Sequence, residues 1–374
     1  MKIAFYAPMK PPDDPVISGD RETARLILRA LADEGHDTEI ASRLRAWQRA
    51  PDHALSAELA DKAKGEVTRL LEDYRAAGGP DLWITYHLYH KAPDRIGPAV
   101  CDALAIPYVV LEGCRAAKQA GGRWASNFAE ADRALLQADA VAALHAEDAE
   151  GLDGFLEPGR LHRLAPFIDA ARFDAAAARE RTGDPPVLLA VAMMRSGDKE
   201  ASYRLLGEVL ATLQDRPWRL RLVGDGSLRD EILALFPADR LDWRGAVEPD
   251  RMAEVYGEGD IFVWPAINEA FGVALLEAQA GGLPVVAGDS GGVPDIVRGG
   301  ETGLVVPEGD RTAFAGAVTR LLDDSETRRR FGQAAARHIR SDHDLPSARR
   351  TLNAIIAAAR AVQTGRGTVP AGAA

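Results

Sequence analysis

Two glutamates, Glu269 and Glu277, stand eight residues apart in the stretch INEAFGVALLEAQAGGLPVV, residues 267–286. An apolar stretch rarely tolerates two carboxylates without partners. The run DIFVWPA (260–266) reads as a strand, and FGVALLEAQAGG as a helix that Gly281 and Gly282 end. Glu269 then sits in the loop before that helix. The backbone N–H groups of Phe271, Gly272 and Val273 fall at its N-terminus, where unpaired donors and the helix dipole attract an anion. Gly272 lets a ligand approach the backbone. Glu277 follows two turns along, and a carboxylate of this kind can accept both hydroxyls of a ribose. Read without a ligand, Glu269 would be a charge that stabilises the helix start, and Glu277 a solvated surface residue.

An anionic ligand also needs cations. MMRSGDKEAS follows the apolar run PVLLAVAMM (186–194) and supplies Arg195 and Lys199 where a strand's carboxyl end meets a loop. Arginine can chelate phosphate oxygens, and lysine adds a point charge. LRLVGDGSL offers Gly224 and Gly226, but Arg229 stands where a dinucleotide fingerprint needs its third glycine. A tight turn after a strand is the better reading. His87 and His90 in HLYH are three residues apart, with no cluster of cysteines or acids to complete a metal site. They read as surface or acceptor-loop residues, and Cys114 as a small packing residue. SRLRAWQR (42–49) carries three arginines around Trp47 and reads as a solvated helix start, with contact to an anionic membrane surface as the alternative.

These residues hang on alternating strands and helices. Strands are expected at 2–8, DTEIAS, 81–87, 107–112 and 138–144, with a helix over RETARLILRALADEGH. A second series starts at 186 and runs through WRLRLVGDG, RLDWRGAV, DIFVWPA, GLPVVAGD and TGLVVPEGD. Such alternation implies parallel sheets covered by helices on both faces. The 374 residues suit two domains, and ligands bind outside the carboxyl ends of such strands, here in a cleft between two facing units. The net charge of −11 argues against nucleic acid as a partner. No signal-peptide core and no membrane-length apolar run is present, and two cysteines make no disulfide framework, so a cytoplasmic protein is expected.

The stretch from Asn268 to Asp310 resembles the signature of retaining GT-B glycosyltransferases of family 4, the glycosyl transferases group 1. Glu269 and Glu277 resemble its paired glutamates, and Arg195 and Lys199 its pyrophosphate-binding cations. WRGAV, with Gly245, Ala246 and Val247, resembles its nucleobase-edge segment. APFIDAARF resembles its interdomain stretch, with Asp169 at the family's aspartate, and Gly19 matches its N-terminal glycine loop. The chain departs from the pattern in four places. The Arg195–Lys199 spacing is one residue short, EASYRLL follows the lysine where the family often has a glycine, GGVPD has Asp295 where glutamate is usual, and Glu112-Gly113-Cys114 stands where the family often has a histidine.

The resemblance implies an α/β protein with the GT-B fold, two Rossmann-like doubly wound domains facing a central cleft. It implies an acceptor-binding domain at 1–166, a linker at 167–185, a donor-binding domain at 186–345, a helix at 346–362 packing back on the first domain, and a mobile tail at 363–374. It implies transfer of a sugar, with retention, from a nucleoside-diphosphate sugar to the hydroxyl of a carbohydrate or glycolipid, without metal or other cofactor. Glu269, Arg195 and Lys199 would be catalytic. Gly19, Gly245 to Val247, Glu269 to Val273 and Glu277 would bind the donor, and His87 and Glu112 would face the acceptor. A bacterial envelope pathway at the inner face of the membrane fits this reading. A sugar-nucleotide epimerase and a non-catalytic sugar-nucleotide-binding protein remain as alternatives, and the oligomeric state stays open.

Overall fold

The structure is a computed structural model. It describes residues 1–16, 18–181, 184–269 and 272–367. The chain folds into two units. The first comprises Met1–Ala165 together with Leu345–Ala374, and the second is Pro166–Asp344.

The first unit holds β1 (Lys2–Tyr6), β2 (Asp37–Ser42), β3 (Leu82–Leu88), β4 (Tyr108–Gly113), β5 (Ala140–Ala143) and β6 (Leu161–Arg163). All pair in parallel in the order β2-β1-β3-β4-β5-β6. Chain direction across the sheet reverses between β1 and β3. The central strands are near-continuous apolar runs because helices cover both faces, and Tyr6, Trp83, Val110 and Val141 fill the core. The helix Gly19–Asp33 begins two residues before the expected run, because the Ser18 side chain caps it by accepting from Arg21 N at 3.3 Å. The last helix, Leu345–Gly367, outruns its expected end. It packs on this unit, where Asn353 donates to Glu34 (2.7 Å) and Gln363 to the Ala105 carbonyl (2.6 Å). The rest of the expected mobile tail, 368–374, lies outside the described residues.

The expected helix start at 42–49 is corrected. Ser42 closes β2, and 43–48 run on as irregular chain. Arg43 pairs with Asp13 (2.6 Å), Arg45 donates to the Met9 carbonyl (3.0 Å), and Trp47 Nε1 donates to the Tyr89 hydroxyl (3.1 Å). These side chains tie neighbouring loops together instead of starting a helix.

The second unit holds β7 (Val187–Val191), β8 (Arg219–Val223), β9 (Leu241–Trp243), β10 (Ile261–Trp264), β11 (Val285–Asp289) and β12 (Gly303–Pro307). Their order is β12-β11-β10-β7-β8-β9, again all parallel. This is the doubly wound order with its switch point between β7 and β10. Leu189, Leu222, Phe262 and Val286 lie in its core. The stretch expected as a linker belongs to this unit, because Ala170, Phe173 and Ala176 are buried in it. The unit's two ends are tied to each other. Ile168 N donates to the His343 carbonyl (2.9 Å), and His343 Nδ1 donates to the Pro166 carbonyl (2.7 Å).

Candidate active site

At the carboxyl edge of the second sheet, β7 and β10 lead into the two loops that flank the switch point. After β7 the chain passes Arg195 and turns at Gly197 (φ 93°) into the helix Asp198–Ala211. Lys199, in the first turn, reaches across and pairs with Glu269 Oε2 from the loop after β10. The Lys199 and Glu269 side chains are only 22% and 13% exposed. Trp264, the last residue of β10, donates from Nε1 to the same oxygen at 3.0 Å, and Lys199 Nζ lies 5.3 Å from its ring centre. A tryptophan and a lysine thus fix the Glu269 carboxylate in place.

The loop carrying Glu269 is held from four sides. Ser202 accepts from Ile267 N (3.1 Å), Glu308 from Asn268 N (2.8 Å), Asp198 from Asn268 Nδ2 (3.1 Å), and Ser290 from Glu269 N (3.1 Å). Ala266 and Asn268 carry positive φ, 57° and 47°. Strained backbone of this sort persists only where the surroundings over-determine it, and it concentrates at functional sites. Ser290 and Ser202 escaped the sequence reading because a serine gains meaning here only from the loop that docks on it.

The helix Val273–Ala280 starts from Gly272, and no side chain caps it. Gly272 has φ 66°, and a Cβ there would meet Leu275 Cδ1 at 2.7 Å. Ala270 and Phe271 lie outside the described residues. Glu277 is half-buried, and its Oε2 accepts from the hydroxyl of the fully buried Tyr256 at 2.8 Å. That contact rules out the solvated-surface reading. Burial, and then the Glu277 charge, push the Tyr256 pKa well above the usual tyrosine range, so the phenol stays a donor.

The β8 and β9 loops complete the edge. A Cβ on Gly224 or Gly226 would lie 1.9 Å from the Ala192 carbonyl oxygen or 2.2 Å from that of Met194. Glycine is required here for backbone approach, and Met194 N donates to Asp225 O (3.0 Å). The turn therefore props the Arg195 loop. Gly224 N also donates to the Gly245 carbonyl (2.8 Å), which brings Gly245, Ala246 and Val247 to the same edge. Trp243, 36% exposed, donates to the Gly224 carbonyl (2.9 Å), with the Arg229 guanidinium 5.5 Å from its ring centre. Arg195 is exposed and makes no ion pair with the described residues.

The remaining predicted residues gather in the first unit, at the β1/β3 switch. Gly19 opens the helix after β1, followed by Asp20. His87 Nδ1 donates to Asp20 Oδ1 at 2.9 Å and lies 3.6 Å from Glu112 Oε1. Burial works to lower the His87 pKa, but Glu112 and Asp20 outweigh it and raise it to about 9. Burial works to raise the Asp20 pKa, and the bond and charge of His87 reverse that into a lowering. Burial raises the Glu112 pKa against the pull of His87. His90 diverges from His87 and packs against Trp124, with ring centres 5.3 Å apart. Burial, then Lys91 and Lys118, lower its pKa. Cys114 donates to Asp148 (2.5 Å), and burial lifts its pKa well above the usual range, so it is a held thiol.

Residues 175–338 match the family model for glycosyl transferases group 1. Over that span the chain is similar to this family. Among curated relatives, it is 35% identical over 160 residues to sulfoquinovosyl transferase SQD2 of Arabidopsis thaliana, covering 42% of this chain and 31% of that protein. It is 47% identical over 93 residues to D-inositol 3-phosphate glycosyltransferase of Corynebacterium efficiens, covering 25% of this chain and 22% of that one. The matches thus span less than a third of these relatives' length. The structure of HepE from Anabaena in complex with UDP superposes with a TM-score of 0.73, at 15% identity over 96% of this chain and 100% of the other. The two six-stranded parallel sheets are those of the GT-B fold.

Proposed function

We propose that this chain is a retaining glycosyltransferase of group 1 that moves a sugar from a UDP- or GDP-linked donor to the hydroxyl of a carbohydrate or glycolipid. The observation that carries the reading is the Lys199–Glu269 pair, which stands at the β7/β10 switch point beside an uncapped helix N-terminus. Arg195, Lys199 and the N–H groups of Gly272 and Val273 stabilise the charge that develops on the departing pyrophosphate, a preorganised electrostatic contribution. Glu269, immobilised by Trp264 and Lys199, orients the donor sugar. Glu277, aligned by Tyr256, takes the ribose hydroxyls. Trp243 and the 245–247 loop border the nucleobase. With Arg195, Lys199 and the helix N-terminus on the pyrophosphate no metal is required, and in front-face attack the leaving phosphate receives the acceptor's proton.

Three observations support this reading: the family match, the D-inositol 3-phosphate glycosyltransferases among the relatives, and the UDP bound by the similarly folded HepE. Among the described residues no helix is long and apolar enough to cross a membrane. A cytoplasmic enzyme of bacterial polysaccharide or glycolipid synthesis, working at the inner membrane face, fits that observation. The test is thermal stabilisation by UDP, GDP and ADP, with Glu277→Ala alongside. A shift with one base that the variant loses supports the donor site, and no shift with any of them removes it.

A further inference from the structure

The trio at the β1/β3 switch has no part in the donor chemistry above. Its members come from three elements: Asp20 from the helix after β1, His87 from β3 and Glu112 from β4. His87 and Glu112 both have left-handed backbone, φ 61° and 57°, inside parallel strands. Such strain in two adjacent strands turns both side chains from the pleat toward one point. The His87 side chain is 15% exposed and that of Glu112 only 9%. Glu112 Oε2 is buried and has no hydrogen-bond partner among the described residues. The Tyr86 hydroxyl acts on the same carboxyl, but a buried carboxylate oxygen outside hydrogen-bond geometry is costly and needs an explanation.

The charge layout supplies one. The groups facing His87 are the carboxylates of Asp20, Glu112 and Asp148, with the Tyr86 and Tyr89 rings beside it. Lys10 acts on Asp20. Two carboxylates within 2.9 and 3.6 Å of one ring nitrogen favour the imidazolium, and the Nδ1–Asp20 bond leaves Nε2–H as the second donor. A ring held in this state cannot take a proton. Its surroundings carry more negative than positive charge, so an incoming phosphate meets repulsion that an uncharged oxygen does not.

We propose that Asp20 and Glu112 hold His87 as a standing cation whose Nε2–H donates to an uncharged, non-reacting oxygen of the carbohydrate acceptor. His87 is then a positioning residue and not a base. This rests on the glycosyltransferase reading for the nature of the ligand, but not for the state of the ring.

The experiment uses the full chain with labelled histidine, followed by NMR. The His87 resonances should titrate near 9, and Asp20→Asn and Glu112→Gln should each lower that midpoint by about one unit, tenfold in the protonation constant. Titration of the parent at or below 6.5 overturns the standing cation. The second arm adds myo-inositol as an uncharged probe and inositol phosphate as its anionic counterpart. A shift of the Nε2 resonance with myo-inositol, weaker with the phosphate and lost in His87→Ala, is expected. The reverse preference, or no response to either probe, overturns the proposed ligand contact. UDP and GDP stabilisation is measured on the same samples. Its loss in the parent counts against the donor reading, and its retention in His87→Ala shows that the variant is folded.

Discussion

Lys199 and Glu269 are ion-paired across the point where the second sheet reverses its strand order. Removing either partner strands a mostly buried charge. Lys199→Met and Glu269→Gln should each lower kcat/KM more than tenfold and cost about 1–2 kcal/mol of stability, less than a fully buried pair would. The double variant should lose much less than the sum. Steady-state kinetics and urea denaturation of the three proteins decide it, and additive losses would show that the pair is not a working unit.

Glu277 and Tyr256 should separate affinity from turnover. Glu277→Gln keeps the size of the side chain but removes the charge that accepts hydroxyl hydrogens, and should weaken nucleoside-diphosphate binding about tenfold. Tyr256→Phe leaves that charge but releases its alignment, and should have a smaller effect of the same sign. Isothermal titration with UDP or GDP reads both. An unchanged Kd in Glu277→Gln would remove the ribose assignment.

Gly272→Ala tests the loop-to-helix corner. The new Cβ meets Leu275 at 2.7 Å in a left-handed backbone, so the variant should lose about 1–2 kcal/mol. The denaturant midpoint should fall without a change in slope. Unaltered stability would mean that the corner relaxes freely.

Two histidines should give the protein a stability optimum near neutrality. The buried His338 is held at about 4, by burial first and then by His343. The native state binds fewer protons there than the unfolded chain, so stability is lost as pH falls from about 6.5 toward 4. His87 is raised to about 9, so its contribution is complete below 6.5 and is lost as pH rises through 9. Denaturation midpoints across this range should form a dome. His338→Phe should flatten its acid side alone, and His87→Gln its alkaline side alone.

The strands were legible because parallel strands covered on both faces are written as unbroken apolar runs, as in 186–194. The helix His53–Ala77 was not. Its buried residues, Leu59, Ala63, Leu70 and Tyr74, are sparse among alanines and charges, and Asp52 is its only strong start signal. β6 is three residues long and carries no pattern. Lys199 and Glu269 could be named individually from their loops, since each follows a strand. The Asp20–His87–Glu112 association was hidden, because its members are 67 and 25 residues apart and only sheet order makes them neighbours. Positive φ at His87 and Glu112 leaves no mark in the sequence.

The first unit is assembled from two stretches, Met1–Ala165 and Leu345 onward, with the second unit between them. On a ribosome part of its hydrophobic surface therefore waits for the whole second unit to be made before the helix Leu345–Gly367 can cover it. The second unit emerges complete, with His343 already bonded to Pro166 and Ile168. A fragment ending at 344 should contain one finished domain and one exposed, aggregation-prone half. A fragment of 166–344 alone should fold, which makes it the natural unit for transplanting the Lys199–Glu269 site.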